Sequence, residues 1–323
     1  MRRRDLLVAG AAALGLAHAH VLAQQKAREY RVGVLLPMAG LAAQPYLAAV
    51  RGRLLAHGFV EGRNLQLEIR YSSASMEARE LAELRLDAVF ALTTVLATAI
   101  HAAARDVPLL FAWAADPVQA GLAHSYARPG GTATGVANRY NELAAKRVEL
   151  ARELLPSARR LAVAAGTFDA GIRAAFPHAE EAAARAQMKL LPVEAGLMWT
   201  RSLDKALAEG ADAILVLTPF AVFGLRWLAE EVVGFSIERR VPILFSDAES
   251  VQLGGLLSYG NNPLAEVEQA ADLLARVLKG EKPADLPVQL AARFELAVNL
   301  KTAKVLGLDI PRSILLRADR VIE

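Results

Sequence analysis

The chain contains no cysteine, which excludes disulfide bonds, thiolate nucleophiles, iron–sulfur ligation and a lipid anchor on a cysteine. A large excess of positive or negative charge is also missing, because 37 Lys and Arg are balanced by 34 Asp and Glu among 323 residues. We therefore expect no nucleic-acid partner. The four histidines beyond residue 23 lack the i, i+4 spacing that places two metal ligands on one helix face. We therefore expect neither a metal nor another cofactor.

Long apolar runs are missing except near the amino terminus, where residues 1–23 are typical of an export signal. Three arginines precede an apolar run at 6–16, which is shorter than the ~20 residues that span a bilayer. Arg3 and Arg4, with the leucines that follow Asp5, resemble the twin-arginine signal, although the general secretory route stays open. Cleavage after this segment leaves 34 basic and 33 acidic residues, in a soluble protein without membrane insertion and without a lipid anchor.

The composition, 54% hydrophobic and 22% charged, is typical of a folded α/β protein. From residue 31 onward, short apolar runs alternate with segments of helical periodicity. The pattern predicts strands at 31–36, 65–71, 88–92, 109–113, 161–165, 190–194, 213–217 and 243–246, and helices at 47–57, 76–85, 142–155, 174–188, 203–209 and 225–236. One sheet of this width exceeds the usual size, so the pattern favours two doubly wound parallel-sheet lobes with crossings near 136–141 and 259–263.

Motifs of catalysis are incomplete in this sequence. Glycines within 130–135 are spaced as in a phosphate-binding loop, but Val136 and Ala137 stand where Lys and Ser or Thr are required. Residues 202–205 match the S-x-x-K of serine acyl enzymes without its partner motifs, and residues 234–238 lack the last glycine of a nucleophile elbow. The sequence therefore indicates no particular enzyme chemistry.

The most distinctive segment follows the fourth predicted strand. It contains Asp116-Pro117-Val118, Gly121-Leu122 and, at 127–135, Ala-Arg-Pro-Gly-Gly-Thr-Ala-Thr-Gly. This segment resembles the periplasmic substrate-binding proteins of ABC transporters, a family that includes tryptophan- and tyrosine-binding members and usually has Asn at the position of Thr132. The carboxyl-terminal part is similar to the same family at 254–260, 279–287, 294–304 and 310–319.

The resemblance implies the type I periplasmic-binding fold, with two lobes joined by a three-segment hinge. The first lobe is then expected at 24–137 with about 261–290, and the second at 138–260 with about 291–323. It also implies a monomeric receptor in the periplasm that binds a small amino-acid-like ligand, aromatic or apolar, between its lobes. The partner is expected to be the membrane permease of an ABC importer.

Ligands of open α/β sheets bind beyond the carboxyl ends of the strands, so residues at strand ends are the candidates for binding. In the first lobe these are Met38, Thr93, Thr94 and Asp116. The two threonines either meet a ligand carboxylate at the start of a helix or cap that helix. Asp116 either accepts hydrogen bonds from a ligand ammonium, so that Asp116→Ala abolishes binding, or begins a turn before Pro117.

In the second lobe the candidates are Thr167, Phe168, Phe220 and Asp247, which also follow predicted strands. The two phenylalanines either cover an apolar or aromatic ligand side chain or pack beneath their loops. An alternative function is a periplasmic hydrolase or isomerase that uses Asp116 or Asp247 as a general base. A third is the sensing lobe of a transcription factor or receptor, against which the export signal and the missing helix-turn-helix both argue.

Overall fold

The computed structural model describes residues 28–72, 76–167, 172, 174–196 and 198–323. The expected export signal at 1–23 and the candidate residue Phe168 lie outside these ranges. The strands are β1 (Tyr30–Leu36), β2 (Leu65–Tyr71), β3 (Ala88–Leu92), β4 (Leu109–Ala114), β5 (Ala133–Ala137), β6 (Arg160–Gly166), β7 (Lys189–Ala195), β8 (Ala213–Val216), β9 (Ile243–Phe245), β10 (Leu257–Asn261), β11 (Gln289–Leu290), β12 (Phe294–Asn299) and β13 (Arg320–Ile322).

The helices alternate with these strands for most of the chain. They are α1 (Gln44–Ala56), α2 (Met76–Ala82), α3 (Thr94–Ala103), α4 (Tyr140–Leu154), α5 (Phe176–Arg185), α6 (Trp199–Ala208), α7 (Arg226–Arg239), α8 (Ala248–Gln252), α9 (Pro263–Leu278), α10 (Leu300–Leu306) and α11 (Arg312–Leu315), with short 3₁₀ helices at Gly40–Ala42, Ala221–Phe223 and Pro283–Asp285. In the described part of the chain, no helix combines the length and the apolar character needed to cross a membrane.

The first sheet has six parallel strands in the order β11-β5-β4-β3-β1-β2. Its central strands β3 and β4 are buried along their whole length, as the continuous apolar runs at these positions predict for a sheet covered on both faces. Helix α9 packs against α1 and against β3, β4 and β5, so a segment late in the sequence completes the first lobe.

The second sheet has seven strands in the order β13-β12-β10-β9-β8-β6-β7. All neighbouring pairs are parallel except β10 and β12, which run antiparallel, so the predicted parallel sheet carries one antiparallel pair. The direction follows from connectivity: the chain leaves the second sheet for the first lobe at the end of β10 and re-enters the second sheet at the start of β12.

The chain passes between the two sheets at three places: at 138–139 between β5 and α4, at Asn262 between β10 and α9, and at 291–293 between β11 and β12. These crossings lie side by side. The N–H of Asn262 donates to the carbonyl of Arg293 at 3.0 Å, and the N–H of Ala291 donates to the carbonyl of Ala137 at 2.8 Å. Backbone hydrogen bonds thus tie the three crossings into one narrow hinge.

The predicted elements agree with the structure, with shifts at their ends. The strands expected at 65–71 and 88–92 match residue by residue, whereas the helix expected at 76–85 stops at Ala82. The strand expected at 243–246 ends one residue early, since Ser246 belongs to the turn that leads into α8. Helix caps and turns decide such boundaries, and apolar periodicity reports them only to within a few residues.

Candidate functional site

A cleft lies between the two sheets and is lined by the residues that directly follow strand ends. From the first lobe Pro37, Ser72 and Thr93 follow β1, β2 and β3, and from the second lobe Thr167 and Gly196 follow β6 and β7. The carboxyl ends of both sheets therefore face the same space, the position at which open α/β sheets bind ligands.

This central cleft encloses a cavity of about 370 Å³. The other described residues of its lining are apolar and come from α3 in the first lobe and from the segment 223–228 in the second: Val95, Leu96, Phe223, Leu225, Trp227 and Leu228. The indole of Trp227 is 54% exposed, so an aromatic surface remains open at this cleft. An apolar wall with a few hydroxyl groups is typical of small-molecule sites.

Thr93 both caps a helix and lines the cleft. Its φ of 70° and ψ of 153° lie in a region that only glycine adopts without strain, and its side chain is buried. Thr93 Oγ1 accepts a hydrogen bond from the N–H of Leu96 at 3.4 Å, which is the capping role that the sequence left open. A strained backbone held in a cleft wall is a feature of binding sites more often than of plain scaffold.

The other two hydroxyl-bearing residues of the cleft lining, Ser72 and Thr167, differ in their hydrogen bonds. Ser72 donates a hydrogen bond to a carboxylate oxygen of Glu77, and this bond lowers the pKa of Glu77. Thr167 is exposed, and its backbone N–H continues the sheet by donating to the carbonyl of Ala195 at 3.1 Å. The cleft thus holds Thr93 and Thr167, two of the predicted residues, on opposite lobes.

Three further predicted residues have structural contacts in place of a cleft position. Thr94 Oγ1 accepts from the N–H of Ala115 at 3.0 Å, which joins the start of α3 to the end of β4. Phe220 is fully buried in the core of the second lobe, edge to face with Trp199 at 5.0 Å between ring centroids. Met38 packs against Gly224 across the two lobes, since a Cβ at Gly224 would lie 2.9 Å from Met38 Cβ.

Asp116 lies beside a separate cavity, of about 400 Å³, that also includes Asn138, Arg139 and Glu142. Its Oδ1 accepts hydrogen bonds from the N–H groups of Val118 at 3.1 Å and Gln119 at 3.0 Å, the turn arrangement that Asp-Pro sequences favour. Asp116 thus lines a different cavity from Thr93 and Thr167.

A second space between the lobes, which we call the hinge cavity, holds about 20 Å³. Its lining combines the crossings with both lobes: Trp113, Asn138, Arg147, Pro219, Val222, Ser246, Asp247, Asn261, Pro263 and Glu266. Asp247, the last of the predicted residues, is 4% exposed here and caps α8, with Oδ1 accepting from the N–H and the hydroxyl of Ser250 at 2.9 Å each.

Two carboxyl groups at the hinge cavity are hard to ionise. Burial raises the pKa of Glu266 to about 8, although the side chain of Asn261 and the backbone of Trp113 hydrogen-bond to it. Burial likewise raises the pKa of Asp247 to about 6, against the hydrogen bonds from Ser250. Among the described residues, no group of three His, Cys, Asp or Glu side chains is arranged to hold a metal ion.

Comparison with known proteins identifies the family of this fold. The model for ABC transporter substrate binding proteins matches residues 32–322. The chain belongs to this family. A relative from Clostridioides difficile (strain R20291), described as a tyrosine-binding protein, is 25% identical over 260 residues, which cover 78% of this chain and 73% of the relative.

Solved structures have the same fold as this substrate-binding protein. A conserved domain protein from Vibrio cholerae superposes with a TM-score of 0.80 at 25% identity, over 91% of this chain and all of that one. An ABC domain from Streptococcus pneumoniae, solved in complex with L-Trp, superposes with a TM-score of 0.79 at 23% identity over the same shares. The two-lobed type I periplasmic-binding fold implied by the sequence resemblance is thereby confirmed.

Several residues of the substrate-binding protein's two cavities were not predicted from the sequence. Trp227 and Phe223 follow no strand directly, so the strand-end rule misses them. Glu266 could have been noticed from the sequence. It lies on the same face of α9 as the buried Ala270 and Val277, so an acidic residue occupies a position in an apolar stripe. Asn138 lies at the first crossing and Asn261 ends β10 next to the second, and the directions of their side chains depend on the assembled hinge.

Proposed function

We propose that this protein is the solute receptor of an ABC importer and that it binds one amino-acid-like molecule with an aromatic or apolar side chain in the central cleft. The observation that carries the proposal is the cleft lining, in which apolar side chains of both lobes surround about 370 Å³ and, among the described residues, hydroxyl groups come from Ser72, Thr93 and Thr167. Apolar area supplies affinity in such sites, and a few polar groups orient the ligand.

The size of the cleft favours a single amino acid over a peptide, because about 370 Å³ is near the lower end of the roughly 300–1,000 Å³ of small-molecule sites. The tyrosine-binding relative and the neighbour solved with L-Trp support an aromatic amino acid. The exposed face of Trp227 and the ring of Phe223 are suitable surfaces for stacking a ligand ring.

The proposed mechanism is closure of the two lobes on the ligand. Since the cleft is lined from both lobes and Met38 packs on Gly224 across them, a ligand in the cleft contacts both lobes only when they are closed. Such a ligand shifts the population toward the closed form, and that form docks on the membrane permease. The receptor then acts as a monomer in the periplasm, after export through the signal at 1–23.

We propose binding without turnover. The rival reading as a hydrolase or isomerase needs a general base in the cleft, but Asp116 lies beside another cavity and Asp247 lines the hinge cavity. The carboxylate of Asp247 is also engaged by Ser250 through its N–H and its hydroxyl.

The proposal is tested by calorimetry on the exported protein with L-tryptophan, L-tyrosine, L-phenylalanine and L-leucine, and with D-ribose as a solute of different chemistry. We expect at least one of the amino acids to bind with a micromolar or lower Kd, with a decrease in the radius of gyration in X-ray scattering. Binding of the sugar alone, or chemical conversion of any bound amino acid, would refute it.

A further inference from the structure

The hinge cavity contains polar atoms that lack partners. Within the part of the chain that the structure describes, Asn138 Oδ1, Ser246 Oγ, Asn261 Oδ1 and Glu266 Oε2 have no hydrogen-bond partner. Asn138, Ser246 and Glu266 are each at most 4% exposed, so bulk water does not supply the missing bonds. Buried polar atoms in folded proteins are nearly always paired, and four orphans on one small cavity indicate that a polar group belongs there.

The chemistry of these atoms indicates what that group is. Two amide oxygens and a carboxylate oxygen accept hydrogen bonds only, and the serine hydroxyl accepts as well as donates. A primary ammonium offers three donors and no acceptor, which matches this set. A cavity of about 20 Å³ has room for one group of the size of a water molecule, as an ammonium is.

The charge around the cavity favours the same group. Two carboxyl groups, Asp247 and Glu266, share the cavity with one guanidinium, that of Arg147, whose Nε is directed to the carbonyl of Tyr259. Tyr46, which packs on Trp113 beside them, stays neutral because burial raises its pKa above the ordinary range. With both acids ionised the cavity has a net negative charge, and burial makes that state unfavourable until a cation enters.

The hinge cavity is next to the central cleft. Val222 lines the hinge cavity and the following residue, Phe223, lines the central cleft, so the short helix Ala221–Phe223 contributes to the walls of both spaces. Glu266 belongs to the first lobe and Ser246 to the second, so a group bound to both holds the lobes closed.

We propose that the hinge cavity binds the primary ammonium group of the ligand, with Glu266 as its charged partner and Asn138, Asn261 and Ser246 as further acceptors. This inference rests on the proposed function and names the substrate class more narrowly: molecules with a primary amine, to the exclusion of the corresponding acids without one. It also moves the ammonium contact from Asp116, where strand-end position suggested it, to the hinge.

The test compares L-tryptophan with indole-3-propionate, which has the same ring and carboxylate but no amine, by calorimetry on the full exported protein. Wild type is expected to bind L-tryptophan at least tenfold more tightly than indole-3-propionate. Glu266→Gln should lose that preference by weakening L-tryptophan alone. The control Glu281→Gln replaces an exposed acid paired with Arg276 and should leave the preference unchanged.

The outcomes separate this inference from the proposed function. Equal affinity of wild type for both compounds overturns the inference while the receptor function stands, and this comparison holds even where circular dichroism shows that Glu266→Gln does not fold. A preference that survives in folded Glu266→Gln but is lost in Asp116→Asn also overturns it, because the ammonium then binds at Asp116 and the hinge cavity holds only water. Failure of every amino acid in the panel to bind refutes both proposals together.

Discussion

Replacement of Gly224 by alanine tests whether the contact between Gly224 and Met38, which joins the two lobes, is needed for ligand binding. A Cβ at position 224 would lie 2.9 Å from Met38 Cβ, closer than real Cβ contacts, and Met38 is held in the opposite lobe. Overpacking of this kind costs about 1–3 kcal/mol. Because the clash exists, under the proposed closure, only when the lobes are together, we expect this cost to appear as weaker ligand binding, about fivefold to about 150-fold.

The substitution also strains the backbone, and a matched variant measures that effect by itself. Gly224 has a φ of +66°, so alanine there also costs roughly 1–2 kcal/mol of folding free energy in the open and the closed form alike. Gly307 has a φ of +71°, and a Cβ added there would meet no atom within 4 Å, so Gly307→Ala should lose similar stability without loss of affinity. Met38→Gly in the Gly224→Ala background removes the clashing atom and should restore binding.

The assay is calorimetric titration with the amino acid that wild type binds, together with X-ray scattering to follow closure and thermal unfolding to follow stability. The result that refutes the reasoning is equal affinity of Gly224→Ala and Gly307→Ala at equal stability loss. Failure of Met38→Gly to restore binding would also count against a steric cause.

Three further predictions concern single side chains. Trp227→Ala should weaken binding of an aromatic amino acid about twofold to tenfold, the loss of one ring contact of ~0.5–1.5 kcal/mol, with unchanged unfolding; equal affinity in calorimetry would remove Trp227 from the site. Phe220→Ala should lower the free energy of unfolding by about 3–5 kcal/mol in denaturant titrations, because its ring is a core side chain; a loss of affinity at unchanged stability would contradict this. The unfolding temperature of ligand-free wild type should fall as the pH rises from about 5 to about 8 and level off above that, because in this range folded Glu266, whose pKa is raised to about 8, keeps a proton that the unfolded chain has lost; Glu266→Gln should lack the part of this fall above a pH of about 6, the pKa of Asp247.

The candidate site was predictable in part. Strand ends are visible in sequence, and the rule that ligands bind beyond them predicts Thr93 and Thr167, both of which line the central cleft. The same rule does not reveal which way a side chain points. Phe220 follows a strand too, yet its ring turns into the core against Trp199, a residue 21 positions away on α6.

The hinge cavity lay beyond sequence reasoning for a different reason. Its lining comes from β4, the first crossing, α4, the segment 219–222, the turn before α8, the end of β10 and the start of α9, which together span residues 113–266. Only Glu266 has a local signal, as an acid among apolar positions of α9. Asn138 and Ser246, which line the same cavity, are polar residues outside helices and strands and have no such signal.

Local patterns in the amino-acid sequence suffice for the fold class, the order of most strands and helices and the lack of thiol chemistry, because periodicity and composition are properties of neighbouring residues. The contact of Met38 with Gly224, the burial of Phe220 and the cluster of unpaired acceptors around Glu266 exist only once the three crossings bring two sheets together. Each depends on side-chain direction and on distances between segments far apart in the chain, and these are set by packing of the complete fold.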